Sequence, residues 1–231
     1  MINATHPKNA PFHIAIILDG NRRWARKRGL PRIIGHRRGV ENLKKLLPVF
    51  IARNIKILTV YALSTENLQE RNAVELKSLF QEIERFAQQP EIFHQYEIRL
   101  RLFGELIKFP ASTKKALNKL VRDTKKYDRL NLNLALGYGS RDEIVRAANK
   151  LLRSGKRATE KSLSRALDSG EQPDPDLLIR TGGKSRLSNF LLWQLAYTEL
   201  YFTEKLWPEF DEAELIKALN WFQEQQRNFG R

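Results

Sequence analysis

Residues 14–39 read IAIILDGNRRWARKRGLPRIIGHRRG, and the fold follows from how this stretch divides. The apolar run 14–18 is closed by Asp19-Gly20-Asn21, which is how a buried parallel strand ends in a turn. Behind the turn come Arg22, Arg23, Arg26, Lys27, Arg28, Arg32, His36, Arg37 and Arg38, a density of basic groups beyond what solubility asks for. Asp19 heads this basic loop, Trp24 lies inside it, and Gly29, Gly35 and Gly39 punctuate it. An acid beside many guanidinium groups suits a place where a divalent metal meets a polyanion. The carboxylate can hold magnesium, while guanidinium forks take phosphate oxygens in pairs. A tight Asp-Gly turn ahead of a solvated basic helix would explain an isolated Asp-Gly pair, but the tryptophan and the glycines favour a site.

Working outward, apolar runs at 57–62, 98–103, 132–136 and 177–179 alternate with longer segments of helical period. That is the pattern of a single α/β domain with a mostly parallel central sheet flanked by helices. Val40, Leu43, Leu46, Leu47, Phe50 and Ile51 make one apolar helix face, which Pro48 is expected to kink or shorten. Helices are expected over 74–87 and 113–126. Ser140 with Glu143 reads as a capping box opening a helix through Leu152, and a last helix follows Asp211 with Glu214 at box-like spacing. Residues 153–175 read as the most mobile connector, and 1–11 as a flexible segment ahead of a domain over 12–231.

Ligands of open α/β sheets bind where the carboxyl ends of the strands open into loops. Four such loops carry polar residues: Asp19-Gly20-Asn21, Ser64-Thr65-Glu66-Asn67, Gly137-Tyr138-Gly139-Ser140-Arg141 and Arg180-Thr181-Gly182-Gly183. With parallel strands they share one rim, although the third is equally well explained as a helix start. In the fourth, Arg180, Arg186 and Ser188 flank a glycine pair that would allow close backbone approach to a diphosphate.

Composition narrows the partner. With 41 Lys+Arg against 26 Asp+Glu in 231 residues, the net charge is +15, which implies nucleic acid, an acidic membrane face or a phosphorylated substrate. The absence of cysteine excludes a disulfide framework and fits a reducing, cytoplasmic setting. No stretch approaches a membrane span, so surface contact is the most a bilayer could have. Gly183-Lys184-Ser185 resembles the tail of a P-loop, but Leu178 stands where that motif needs glycine. The four histidines lack zinc-site spacing, and there is no Asp-Asp-x-x-Asp pair.

Taken together, the motifs resemble the cis-prenyltransferase family, most of all its bacterial undecaprenyl diphosphate synthase branch. The blocks are His13 through Asn21 with Arg23-Trp24-Ala25, Gly35-His36 with Gly39, and Tyr61 through Asn67. They continue with Tyr138 through Arg141, and with Arg180 through Gly183 running on by way of Arg186 and Gln194 to Glu199, Phe202 and Trp207-Pro208. They cover about residues 12–230 in the family's order. The resemblance implies a homodimer of α/β subunits, each with an apolar tunnel, condensing isopentenyl diphosphate onto an allylic diphosphate such as farnesyl diphosphate, with Mg2+.

Carried over residue by residue, Asp19 binds magnesium and assists diphosphate departure, while Gly20, Asn21, Arg22 and Arg23 cradle the allylic diphosphate. Trp24, Arg32 and His36 complete that pocket. Ser64, Thr65 and Glu66 line the reacting centre beside Leu68, and Asn67 occupies the position assigned to proton removal, for which an amide is a poor base. Arg180, Arg186, Leu187 and Ser188 meet isopentenyl diphosphate, and Glu199 is the second metal ligand, reaching across the dimer. Departures are Leu63, Leu68 and Lys184, and Gln69-Glu70-Arg71-Asn72, where Arg71 takes the family's arginine role only with one residue inserted. A nucleic-acid-binding protein is the alternative, using the basic loop and Trp24, but Asp19 and Glu66 would repel a polyanion unless metal intervened. A noncatalytic partner subunit is disfavoured by Asp19, Asn21 and Arg23.

Overall fold

A computed structural model describes residues 10–225 of the chain. Most of the segment 1–11 and the last residues of the 12–231 domain lie outside the described residues. Six strands form one parallel sheet: β1 His13–Ile17, β2 Ile57–Ser64, β3 Ile98–Phe103, β4 Leu130–Tyr138, β5 Leu177–Arg180 and β6 Glu199–Phe202. Their order across the sheet is β3-β4-β2-β1-β5-β6. The helices are α1 Asn21–Lys27, α2 Arg32–Ala52, α3 Thr65–Glu70, α4 Ala73–Ala87, α5 Glu91–Gln95, α6 Ala111–Thr124, α7 Ser140–Arg153, α8 Glu160–Ala166 and α9 Glu212–Glu224, with a 3-10 turn at Trp207–Glu209.

All of β1 is buried, as a strand covered on both faces requires. Alternation along the strands divides the core. Ile14, Ile16, Leu58, Val60, Leu132, Leu134, Leu177 and Ile179 face α2, α4, α6 and α9, and the opposite face packs Ala15, Ile17, Tyr61, Phe103, Ala135 and Leu178 under Phe190, Leu191 and Leu195. β1 pairs with β2 on one side and β5 on the other, so the strand order reverses direction there. This switch point brings the loop after β1 beside the end of β5, with Ile17 in register with Arg180.

Several local expectations are corrected. α2 runs past Pro48 to Ala52, because Phe50 and Ile51 are buried behind the proline and hold the last turn. Ser140 and Glu143 do not form a capping box: the Ser140 hydroxyl accepts from Leu192 N at 2.9 Å, and Glu143 turns inward to Tyr138 Oη, Asp168 N and Gln194. A carboxylate 1% exposed serves there as a tie between β4, α7 and the 168–194 segment, and burial raises its pKa. Asp211 does cap α9 through Glu214 N at 3.0 Å, while the Glu214 carboxylate pairs with Lys217.

The 153–175 connector contains α8, opened by a capping box between Thr159 and Ser162, and Asp168 beyond it is bound by Arg146 and by Gly104 N. At the amino edge of the sheet a buried polar row joins strands. His13 Nε2 meets Thr59 Oγ1 at 2.7 Å, Asn133 Nδ2 donates to the same hydroxyl at 2.8 Å, and the His13 Nδ1 meets Pro173 O at 2.8 Å.

Candidate active site

A cavity of about 1150 Å3 opens at the carboxyl edge of the sheet. Its wall is built from Asp19 and Gly20 after β1, Asn21, Arg22, Arg23 and Arg26 of α1, Arg32 and His36 of α2, Ser64 at the end of β2, Glu66, Asn67 and Glu70 of α3, and Arg71. Arg180, Arg186, Ser188 and Asn189 close the far side. Three of the four strand-end loops therefore share the rim. The third does not line it: Ser140 is fully buried, its amide bonded to Asn189 O at 2.8 Å.

The Asp19 loop is braced from behind. Asp19 O accepts from Thr181 Oγ1 at 2.7 Å and from Trp207 N at 3.0 Å. Trp207, fully buried, donates its indole N–H to Gly39 O at 2.8 Å, and Asn42 Nδ2 donates to Trp207 O and Phe210 O, each at 2.8 Å. Gly35 and Gly39 seat α1 on α2: a Cβ would stand 2.1 Å from Asn21 O at the first and 2.4 Å from Asn21 Oδ1 at the second. Two of the three glycines that punctuate the sequence thus clear a place for Asn21, while Gly29 meets nothing within 4 Å.

Asp19 sits between two arginines. Arg23 Nη2 donates to Oδ1 and Arg180 Nη2 to Oδ2, both at 3.0 Å. Arg180 is 3% exposed, and its Nη1 donates to Ser188 Oγ at 2.9 Å and to Arg186 O. The glycine pair beside it does not offer its backbone to an anion. Gly182 N donates to Lys205 O at 2.7 Å and Gly183 N to Thr203 O at 2.8 Å. Both glycines have positive φ, and the space a Cβ would fill is taken by the Arg23 guanidinium and the Glu204 carboxylate.

The basic groups of α1 and α2 converge on a carboxylate that sequence reading passed over. Glu75 lies within 3.6 Å of Arg22, Arg32, His36 and Arg71, yet it stands behind the cavity wall. In sequence it reads as the third residue after the helix cap Asn72, whose side chain does accept from Glu75 N at 2.8 Å, so nothing marked it as a site residue. Burial, reinforced by the charge of Arg71, drops the His36 pKa to about 4, so the imidazole in this basic wall is neutral at pH 7.

On the other side, Glu66 accepts from Asn189 Nδ2 at 3.0 Å and from Thr65 Oγ1 at 3.1 Å. Burial raises its pKa, but the hydrogen bonds, that of Asn189 foremost, outweigh burial and leave it below the ordinary carboxylate value. Asn67 Oδ1 accepts from Arg71 Nε at 3.3 Å. Ser188, Asn189 and Leu191 all have positive φ, at 51°, 62° and 45°. Such backbone costs about 1–3 kcal/mol per residue and persists only where packing enforces it, here by the burial of Phe190 and Leu191.

Some expected site residues stand apart from the cavity. Trp24 carries the Arg28 guanidinium 4.5 Å over its ring, Leu68 packs on the main core and Leu187 on the smaller one. Thr65 acts on Glu66 without lining the wall, and Lys184 is exposed outside it. Glu199 opens β6 in register with Leu177, while Asp19 follows the carboxyl end of β1, whose Ile17 is in register with Arg180. The two carboxylates are thus about five residues, roughly 16 Å, apart along the strand direction. Within one chain they do not share an ion. Arg26, Tyr61, Glu70 and Asn189 line the cavity without having been singled out for it.

Comparison with known proteins gives the family. A family model described as "Putative undecaprenyl diphosphate synthase" matches residues 17–230. The isoprenyl transferase of Aquifex pyrophilus is 46% identical over 223 residues, 96% of each chain. Lavandulyl diphosphate synthase from Lavandula x intermedia, solved in complex with dimethylallyl diphosphate, superposes with a TM-score of 0.92 at 36% identity, covering 97% of this chain and all of that one. A probable undecaprenyl diphosphate synthase from Campylobacter jejuni does so with a TM-score of 0.82 at 34% identity, over 96% of this chain and all of that one. The chain belongs to the undecaprenyl diphosphate synthase family and is a prenyl transferase of the cis chain-elongating type.

Proposed function

We propose, from that membership and the geometry above, that the protein condenses isopentenyl diphosphate onto an allylic diphosphate at the rim between β1 and β5. The observation that carries this reading is the position of Asp19, held between Arg23 of one cluster and Arg180 of the other. On the α1 side, Gly20, Asn21, Arg22, Arg23, Arg32 and the neutral His36 take the allylic diphosphate, with Arg71 facing them. On the β5 side, Arg180, Arg186 and Ser188 take isopentenyl diphosphate. The wall between them carries Ser64, Glu66 and Asn67.

In the reaction the allylic C–O bond breaks and its electron pair leaves with pyrophosphate. The double bond of isopentenyl diphosphate then attacks the allylic carbon, and a proton leaves the new chain. Guanidinium groups of the first cluster stabilise the charge growing on the leaving oxygen. Asn67 is a poor base, its carboxamide oxygen accepts from Arg71 at 3.3 Å, and an oxygen of the departing pyrophosphate is the proton acceptor in this reading. Asn67 and Arg71 orient the reacting centre instead.

Among the described residues no three His, Cys, Asp or Glu converge on a metal position. Asp19 is the carboxylate at the rim that would hold magnesium, exchanging an arginine contact for it, and the metal would supply positive charge to stabilise the leaving group.

The product is proposed to be an undecaprenyl-type diphosphate. Its apolar chain would run in a tunnel from Leu18, Leu30 and Leu63 at the cavity floor toward the core between α2 and α4, which in this structure is filled by Leu47, Leu79 and their neighbours. A homodimer would let Glu199 reach the site of a second copy. No helix among the described residues is long and apolar enough to cross a membrane, and the basic surface would give peripheral contact with an anionic bilayer on the cytoplasmic side. Gel filtration and vesicle flotation check these two points directly.

The central assignment is tested by Asp19→Asn and Asp19→Ala. Both should fold but melt below wild type, since they leave the buried Arg180 guanidinium without its carboxylate. Both should also lose at least about two powers of ten in turnover, measured on the folded protein with labelled isopentenyl diphosphate at fixed magnesium. Turnover within threefold of wild type in either variant removes Asp19 from the reaction.

A further inference from the structure

Arg22, Arg32, His36 and Arg71 each present one side to the cavity and reach Glu75 on the other. Glu75 Oε1 lies 3.6 Å from Arg22 Nε, 3.4 Å from His36 Nε2 and 3.6 Å from Arg71 Nη1. Oε2 accepts from Arg32 Nη1 at 3.2 Å. The side chain is only 8% exposed. Burial pushes its pKa up, but Arg71 and Arg22 outweigh burial and hold it below the ordinary value, so it is an anion at pH 7.

Although three donors surround Oε1, none makes a hydrogen bond with it, and His36 Nε2 is likewise without one. A buried carboxylate with one aligned hydrogen bond, from Arg32 to Oε2, and three cationic or polar neighbours held at Oε1 by charge balances its neighbours more than it props them. The elements involved are separate: α1 supplies Arg22, α2 supplies Arg32 and His36, and the residue after α3 supplies Arg71. Glu75 itself stands in the first turn of α4.

Chain elongation sets a demand that this arrangement meets. Pyrophosphate produced in each cycle must leave the cradle before the lengthened diphosphate can occupy it. A cradle of bare guanidinium groups would hold that product tightly. We propose that Glu75 is the resident counter-anion of the allylic diphosphate cradle: it offsets the guanidinium charge from behind the wall and thereby hastens pyrophosphate release. The inference rests on the reading that these residues hold the allylic diphosphate, and it adds a residue outside the wall that sets how tightly they do so. Glu75 acts through the arginines and is a positioning and charge-balancing residue.

The test uses the full-length chain, inorganic pyrophosphate as the probe and fixed magnesium. Glu75→Gln keeps the shape and removes the charge. It should bind pyrophosphate about tenfold tighter, a difference of about 1.4 kcal/mol, and should show a larger pyrophosphate-induced rise in Tm than wild type. Its kcat and its KM for the allylic diphosphate should fall together, because product release slows. Glu82→Gln on the same helix removes a carboxylate paired with Arg37 and Arg85 outside the cavity wall, and should leave pyrophosphate binding unchanged.

Unchanged or weaker pyrophosphate binding in Glu75→Gln overturns the counter-anion role and leaves Glu75 as a structural tie. Should that variant not fold, the decision passes to Glu75→Asp, which keeps the charge: affinity within about twofold of wild type supports the role, and a tenfold loss overturns it. Arg71→Ala separates this inference from the cradle reading beneath it. If Arg71→Ala binds pyrophosphate like wild type, the cradle itself is misassigned, and the counter-anion role falls with it. If Arg71→Ala weakens binding while Glu75→Gln does not tighten it, only the counter-anion role fails.

Discussion

Replacing Gly35 by alanine adds a single methyl group on the inner face of α2, at a point where α1 already rests. Its Cβ would stand 2.1 Å from Asn21 O and 2.9 Å from Asn21 C, with the Ala25 methyl 3.1 Å away. The nearest atoms are backbone, so no side chain can rotate aside, and α1 must lift by roughly 1 Å to restore ordinary contact. Overpacking of this kind costs about 1–3 kcal/mol. The displacement also shifts Arg22 and Arg23 in the cavity wall, and on the proposed function misplacing such a group by about 1 Å can cost about 100-fold in rate.

Gly35→Ala should therefore lower stability in urea by about 1–3 kcal/mol and lower kcat/KM by about two powers of ten. Gly155→Ala is the contrast. It has φ 66° and nothing within 4 Å of its missing Cβ, so it should show only the cost of the left-handed backbone, about 1 kcal/mol, with kinetics unchanged. Paired urea melts and steady-state rates on the two variants decide the matter. A Gly35→Ala enzyme with rates within twofold of wild type would show that the seat of Asn21 is not what positions the cradle.

Two further outcomes are expected. Arg180→Ala and Arg186→Ala should raise KM for isopentenyl diphosphate far more than KM for the allylic partner, by about one to two powers of ten, the worth of one charge-assisted contact; equal effects on both substrates would dissolve the two-pocket division. Stability should also fall with acid. Burial lowers both His13 and His36 to about 4 from 6.5, so the unfolded chain binds protons that the folded one refuses. Their contribution is complete above pH 6.5 and is lost as pH falls toward 4, which amounts to roughly 2 kcal/mol per histidine by pH 5. Urea unfolding of His13→Gln at pH 7 and pH 5 should show a smaller pH difference than wild type, and an equal difference counts against the buried neutral imidazole.

The sheet was legible because its inner strands are buried on both faces and appear as continuous apolar runs, β1 and β5 most plainly; the edge strand β3, IRLRLF, was legible instead by alternation of apolar and basic residues. β2 and β4 continue into residues such as Ser64 and Asn131 that pair in the ladder while being polar, and hydropathy stops short of them. β6 escaped notice because it is an edge strand of four residues, and its Leu200-Tyr201-Phe202 run is too short to be told from a loop by hydropathy. The site was legible at the rim, where Asp19, Arg23, Arg180 and Ser188 do meet. Glycine was the least readable residue. A sequence shows that room is needed at Gly35, Gly39, Gly182 and Gly183, but it does not say whether backbone, an arginine or a ligand fills that room. Glu75 was hidden for a related reason, since its place after a helix cap already had an ordinary explanation.

The bracing of Asp19 by Thr181 and Trp207 fixes when in the life of the chain the site can exist. The side-chain bonds that steady its carbonyl, and Trp207 in turn, span more than 160 residues: Thr181 to Asp19 spans 162, Asn42 to Trp207 spans 165 and Trp207 to Gly39 spans 168. During synthesis the amino-terminal loop with most of the cationic cluster emerges first, and it must wait for the last quarter of the protein before its aspartate is set. Contacts of such sequence separation close late and slowly. A nascent or truncated chain ending before Trp207 would expose an unfinished basic loop with no power to turn over substrate, so catalytic competence is itself a report that folding has reached its end.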